Sequence, residues 1–212
     1  MRHREIAERV IGNLMSAGSP AVSPDGRRVA FAVHRVDLAD NTYQSQVWLM
    51  ATDGATPPQP LTSGTSDGQP RWSPDGRWLA FTARRSEKEG HTTLHLLPVD
   101  QPGELRTVAT MPDGIADVAF SPDGSLLAFT SRTRDARYEA KDESWQAPRK
   151  IEGFFSRLDD EGWIVDRPSH VYVVRADGSS APRNLTPGPS EHHGVSWLAD
   201  GSGVVTAAQR PA

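Results

Sequence analysis

The amino-acid sequence predicts an all-β protein, specifically a β-propeller whose ring is incomplete. The first observation is a Ser-Pro-Asp-Gly segment that recurs at Ser23, Ser73 and Ser121, at intervals of 50 and 48 residues. The second is that each copy is followed by a short strand pattern ending in Ala-Phe. The third is a further pair of apolar strands in each unit. A repeat period of this length is typical of propeller blades and other repeat arrays.

Each copy of the repeat begins with a turn and continues as a strand. Proline presets φ at the second turn position, aspartate accepts local backbone hydrogen bonds, and glycine takes a positive φ at little cost. After the turn, large residues alternate with alanine, so one face of the strand is bulky and the other is small. The large residues are Val29, Phe31, Leu79, Phe81, Leu127 and Phe129, and the small ones are Ala30, Ala80 and Ala128. This pattern suits sheets that stack face to face.

The rest of each unit supplies the other strands of a four-stranded blade. Apolar runs at 47–50, 94–97 and 171–174 precede further turn signals and a closing strand. An aromatic residue ends the incoming strand at Trp72, Phe120 and Trp197.

We predict a helical lead-in over 1–18, where apolar residues recur at helical spacing between 4 and 16, and a partial propeller over 19–212. The predicted blades are 20–64, 69–112 and 116–189, and a fourth begins near 194. A decayed turn, Leu198-Ala-Asp-Gly, marks that fourth unit. Because propellers carry about 4–8 blades, we expect the chain to be a fragment of a longer protein.

Composition excludes several classes of function. The net charge of −4 and the pI near 6.0 argue against a nucleic-acid partner or an acidic membrane surface. There is no cysteine, no apolar run of signal-peptide length and no stretch that could span a membrane, so we expect a cytoplasmic protein. His192 and His193 point opposite ways in a strand, and we predict no metal site and no cofactor.

One connection is far longer than the others. The predicted connections between second and third strands run about 34–46, 84–93 and 132–170. The third is far longer than a normal loop, and long connections are commonly functional or disordered. Its first half is rich in charge, which predicts mobility. Its second half is apolar, which predicts that it packs; the residues concerned are Phe154, Phe155, Leu158, Trp163, Ile164 and Val165.

Two stretches carry a resemblance to a known family. The segment Ser23-Pro-Asp-Gly-Arg-Arg-Val-Ala-Phe after a short helix, and the run from Ala147 through Arg-Pro-Ser-His170 to Val-Tyr-Val-Val, resemble the N-terminal propeller of the prolyl oligopeptidase (S9) serine peptidases. The acylaminoacyl-peptidase-like branch is the most similar, and TolB-like, WD40-like propellers share the turn. Where that branch has Asp-Gly, this chain has Asp160-Glu161.

The resemblance implies a division of labour. In that family a C-terminal α/β-hydrolase domain carries the Ser–Asp–His triad, and the propeller screens substrates by size. This sequence contains no Gly-x-Ser-x-Gly nucleophile elbow, so we expect no catalytic residue here and no activity of the chain alone. The implied partners are the hydrolase domain of the same protein and short peptides, and a homo-oligomer is a further candidate assembly.

Five residues of the insertion are the candidates for substrate binding or domain docking: Arg157, Asp159, Trp163, Arg167 and His170. Arginine suits this role because its planar fork binds carboxylates bidentately. The alternative is that the polar members pair with one another and stiffen the insertion. Trp145 is a second candidate for a docking surface. The alternative function is that of a TolB-like propeller that scaffolds other proteins and has no attached enzyme.

Overall fold

The structure, a computed structural model, describes residue 6 and residues 10–84, 90–101, 103–138, 143–151, 156–158 and 162–209. Its main elements are antiparallel sheets that follow one another along the chain. Of the helix predicted between 4 and 16, the described residues 6 and 10–12 are helical, and the others before residue 10 lie outside the described part. The lead-in predicted over 1–18 is wrong from Met15 onward, because a strand begins there and Met15 pairs with Arg35. The predicted fold class, an incomplete propeller of four-stranded blades, is confirmed.

Three sheets have four strands each, and the innermost strand comes first in each. The first blade contains β1 (Met15–Val22), β2 (Arg28–Asp37), β3 (Thr42–Ala51) and β4 (Gln59–Pro60). The second contains β5 (Asp67–Trp72), β6 (Trp78–Ala83), β7 (Thr92–Pro98) and β8 (Arg106–Met111). The third contains β9 (Ala116–Phe120), β10 (Leu126–Arg132), β13 (Ser169–Arg175) and β14 (Arg183–Asn184).

Two smaller sheets complete the described architecture. Within the insertion, β11 (Arg157–Leu158) pairs with β12 (Gly162–Trp163). The fourth unit is a hairpin of β15 (Glu191–Trp197) and β16 (Val204–Gln209), the counterpart of the first two strands of a blade.

The repeated turns are held by a serine and an aspartate. In the second blade Ser73 Oγ donates to Asp75 Oδ1 at 2.6 Å and accepts from the Trp78 backbone N–H at 2.9 Å. The same pair of bonds recurs in the first and third blades, with Ser23 and Ser121 in place of Ser73. In the third blade, hydrogen bonds from Ser121 and Ser125 lower the pKa of Asp123 to about 2. The turn is therefore a hydrogen-bonded unit whose aspartate is kept ionised.

The core lies between blades, and the large-and-small alternation builds it. Leu79 and Phe81 of the second blade pack on Ala30 and Val47 of the first. Leu127 and Phe129 of the third blade pack in the same way on a cluster that includes Ala80. All of these side chains are buried. Each blade thus presents large residues to the preceding blade and alanine to the following one, as the sequence pattern predicts.

Every innermost strand carries an irregularity at the same place. Ser19, Gln69, Asp117 and Gly194 all have positive φ, between 51° and 64°. Each stands four residues before the first position of its turn, and the strand register shifts beside each of them. A residue in this conformation at a register shift is characteristic of a β-bulge.

The two faces of the propeller differ in the length of their connections. The Ser-Pro-Asp-Gly turns and the Asp-Gly turns share one face, since Thr52 Oγ1 donates to the Gly26 carbonyl across them. The opposite face carries the connection 132–170. A second long connection predicted there, 34–46, is largely strand, because Val36 and Tyr43 pair as β2 and β3 continue to Asp37 and Thr42. No helix among the described residues is long and apolar enough to cross a membrane.

Candidate functional site

The insertion packs around one arginine. Arg149 lies over the ring of Tyr138, 4.9 Å from its centroid, and over that of Trp163, 5.1 Å from its centroid. Its Nε donates to Asp166 Oδ2 at 2.8 Å. Tyr138 and Asp166 are both buried. A guanidinium stacked between two aromatic rings and paired with a buried carboxylate holds the two halves of the insertion together.

This arrangement modifies the expectation for the charge-rich first half of the insertion. A 3-10 turn, Ala136–Tyr138, places Tyr138 in the packed part. Nearby, Arg137 donates to Asp135 and lowers the pKa of that carboxyl to about 2. In the second half, Ile164 is buried as predicted, but Val165, also predicted to pack, is 37% exposed. Phe154 and Phe155 lie outside the described residues.

Three further ion pairs fasten the insertion to its neighbours. The buried carboxylate of Asp113, which follows β8 of the second blade, accepts from Arg134 at 2.7 Å and from Arg167 at 3.1 Å. Arg132 pairs with Glu191 of the fourth unit at 3.0 Å. The insertion therefore contacts the blades on both sides of its own.

The structure brings together some of the candidate residues and separates one. Arg157 and Trp163 are cross-strand partners in β11 and β12, and the guanidinium of Arg157 lies 5.8 Å from the ring centroid. Arg167 Nε donates to the Trp163 carbonyl. Asp159 lies outside the described residues.

His170 lies apart from the others, in the third blade, where it is buried. Its Nδ1 is 2.7 Å from Thr133 Oγ1, and its Nε2 is 2.8 Å from the Gly188 carbonyl oxygen. Both ring nitrogens are thus occupied by the protein. In β15 of the fourth unit, burial and the nearby His170 and His193 lower the pKa of His192.

Sequence reasoning missed Arg149 and Asp113. Each is a single charged residue whose partner, Asp166 or Arg134 respectively, is distant along the chain. No periodic signal marks such a pair. Among the described residues, no group of three or more His, Cys, Asp or Glu is arranged to hold a metal ion.

Cavities lie on the loop-rich face and along the axis of the partial ring. The first, of about 570 Å³, is lined by Arg84, Asp113, Arg134 and Arg167 among others. A second, of about 370 Å³, adjoins it and shares Arg84. A third, of about 550 Å³, is central, since residues of β1, β5, β9 and β15 all line it.

Comparison with known sequences decides the family. The sequence profile of the TolB β-propeller domain matches residues 4–150, which is more than half of the chain. The chain belongs to the TolB β-propeller domain family. This confirms the resemblance to TolB-like propellers that the turns indicate.

Relatives of this TolB-type propeller include a peptidase. The chain is 28% identical over 203 residues to the uncharacterized peptidase YuxL of Bacillus subtilis, covering 92% of this chain and 30% of the relative. The chain thus spans less than a third of that relative's length.

Solved structures share the fold. An acylaminoacyl peptidase in complex with Z-Gly-Gly-Phe-chloromethyl ketone superposes with a TM-score of 0.71 at 16% identity, over 94% of this chain and 29% of that one. The acylaminoacyl peptidase of Pyrococcus horikoshii gives 0.68 at 15% identity, over 88% and 28%. The putative TolB of Agrobacterium tumefaciens gives 0.51 at 22% identity, over 81% and 49%. The propeller fold of this chain is therefore one that peptidases of this group also have.

Proposed function

We propose that the chain is the non-catalytic propeller portion of a serine peptidase of the prolyl oligopeptidase family, of the acylaminoacyl-peptidase-like kind. In this proposal it screens short peptides for an α/β-hydrolase domain of the same protein, in the cytoplasm. One observation carries it: similarity to the peptidase YuxL extends over 203 residues, 92% of this chain. A similarity limited to the Ser-Pro-Asp-Gly turns would not distinguish the propeller of a peptidase from any other propeller with such turns.

The packed insertion supports the same proposal. It is anchored to the second blade through Asp113 and to the fourth unit through Glu191. It also leaves Trp145 80% exposed and Arg157 exposed. Aromatic residues and arginine are the side chains enriched at protein interfaces. We propose that Trp145, Arg157, Trp163 and Arg167 contact the hydrolase domain, together with Asp159, which lies outside the described residues.

A second candidate function has support of its own. The family profile is that of TolB propellers, and the putative TolB of Agrobacterium tumefaciens shares the fold. In that candidate the chain is a protein-binding scaffold and no enzyme is attached. The two candidates differ in whether a serine nucleophile is present in the natural protein.

The experiment is therefore an intact-mass measurement of the natural protein, combined with labelling by a serine-reactive fluorophosphonate. We expect a product several times heavier than 23.1 kDa that is labelled once and hydrolyses acylated dipeptide chromogenic substrates. The 212-residue chain, produced alone, is the matched control and should remain unlabelled. A natural protein of about 23.1 kDa without label or hydrolysis would reject the peptidase and leave the scaffold.

A further inference from the structure

The central cavity is lined by equivalent positions of four innermost strands. Counting from the repeated turns, Ala21, Arg71, Ala119 and Ser196 occupy the same place in β1, β5, β9 and β15. All four line the cavity of about 550 Å³. Three of these side chains are small, and one is a long cation.

Arg71 is half-buried, and its hydrogen bonding is incomplete. Its Nη1 donates to the carbonyl of Pro70 at 2.9 Å. In the part of the chain that the structure describes, the guanidinium forms no ion pair and has no second acceptor. A guanidinium has five N–H donors, so most of them face the cavity or solvent without a protein partner.

The acidic residue that lines the same cavity is already engaged. Asp117 Oδ2 accepts from the Gly194 backbone N–H and from Thr130 Oγ1, both at 2.9 Å. Its carboxylate thus fastens the third blade to the fourth unit. Among the described residues it forms no ion pair with Arg71, although its negative charge remains in the cavity lining. The remaining lining is apolar, small or neutral, and includes Trp72, Val118 and Phe120. A cation in such surroundings attracts anions more strongly than one on an open surface, because the screening by water is weaker.

We propose that Arg71 makes the central cavity a binding site for a carboxylate, and that it selects short acidic peptides over neutral or basic ones. The proposal rests on the proposed function, in which short peptides enter the propeller. The small side chains at positions 21, 119 and 196 leave space in the cavity for a peptide, and Arg71 provides the positive charge. The guanidinium binds a carboxylate through two parallel N–H donors.

The test uses three capped peptides and the 212-residue chain. Acetyl-Ala-Glu-Ala-amide, its Gln counterpart and its Lys counterpart have no free termini, so only the central side chain differs. Binding is followed by NMR through the indole N–H of Trp72, which lines the cavity. We expect the Glu peptide to bind about tenfold more tightly than the Gln peptide, since a charged hydrogen bond contributes on the order of one tenfold step.

Substitutions separate Arg71 from the general charge of the chain. Arg71→Ala creates the residue found at positions 21 and 119, so the strand should tolerate it, and the preference for Glu should vanish. Arg71→Lys should keep part of the preference, because the charge remains without the fork. Arg77→Ala, an exposed arginine in the neighbouring turn, is the matched control and should keep all of it.

Two results would overturn the proposal: a wild-type chain that binds the three peptides equally or not at all, or an Arg71→Ala variant that still prefers Glu. Neither depends on catalysis. The labelling of a serine nucleophile in the natural protein is read separately, so failure of the peptidase proposal and failure of the Arg71 proposal can be told apart.

Discussion

In the second and fourth units, the tryptophan that precedes the turn connects its unit to the one before it through a hydrogen bond. Trp72 Nε1 donates to the Ala21 carbonyl at 3.0 Å, and Trp197 Nε1 donates to the Ala119 carbonyl at 3.1 Å. Each bond joins the innermost strand of one unit to that of the unit before it. Phe120 occupies the same place in the third blade, and its ring has no donor for such a bond. The second and third blades are therefore joined there by packing alone.

We predict that Trp72→Phe lowers the free energy of unfolding by about 1 kcal/mol, because the Ala21 carbonyl loses its partner while most of the ring's apolar contact remains. Urea denaturation followed by circular dichroism measures the change. Trp145→Phe is the control: this side chain is 80% exposed, and stability should be unchanged. Equal losses in both variants would contradict a role for the indole hydrogen bond.

At the scale of the element, the repeated turn depends on its first residue. The Ser73 hydroxyl both donates to Asp75 and accepts from the Trp78 N–H, so it joins the turn to the strand that follows. The fourth turn has Leu198 in that position. There Ser202, on the other side of the turn, donates to Asp200 at 2.7 Å instead. The fourth turn thus keeps the aspartate and the backbone hydrogen bond from Leu198 N–H to the Gly203 carbonyl, and it loses only the side-chain link to its second strand.

Ser73→Ala should destabilise the chain by about 1–3 kcal/mol, because it leaves the Trp78 N–H without its side-chain acceptor in a buried setting. Ser202→Ala is the matched variant. It removes an exposed hydroxyl from the fourth turn and should change stability by less than about 0.5 kcal/mol. Chemical denaturation of both variants provides the comparison. The interpretation fails if the order of the two losses is reversed.

The repeated elements could be predicted from the sequence because each of their signals is local. The turn residues, the Ala-Phe strand and its alternation lie within ten residues, and the structure places them as expected. The connection predicted at 34–46 is largely strand, because Val36 pairs with Tyr43 across the hairpin. The residue pattern of one strand does not reveal how far its pairing with the next strand continues. The site is less predictable. Arg149 is held by Tyr138, Trp163 and Asp166, and only the folded chain brings these three together.

At the scale of the whole molecule, the two ends of the array are unlike its interior. Val29 and Phe31 of the first blade correspond to the fully buried Leu79 and Phe81, yet they are only half-buried. At the other end Val205 corresponds to Ala80 and Ala128, and it is 58% exposed. Among the described residues, no sheet packs on the face of the first blade that carries Val29 and Phe31. Likewise, no described sheet packs on the face of the β15–β16 hairpin that carries Val205.

We predict that the 212-residue chain self-associates as its concentration rises, because uncovered apolar faces and open strand edges promote association. Sedimentation velocity over a range of concentrations measures this. Val205→Lys should shift the chain toward the monomer, since it places a charge on the uncovered face. Ala199→Lys, at an exposed position of the fourth turn, controls for added charge. A chain that stays monomeric throughout would contradict the prediction.

The bulges at Ser19, Gln69, Asp117 and Gly194 have a consequence for how so repetitive a chain folds to one structure. Blades with nearly the same strands could pair out of step, since a shift by two residues preserves which face of a strand is apolar. A residue with positive φ at one fixed place marks a reference point on each innermost strand, and a shifted pairing would put that conformation where no bulge can form. The same bulge, repeated four times, therefore fixes the pairing register of the first two strands in each unit.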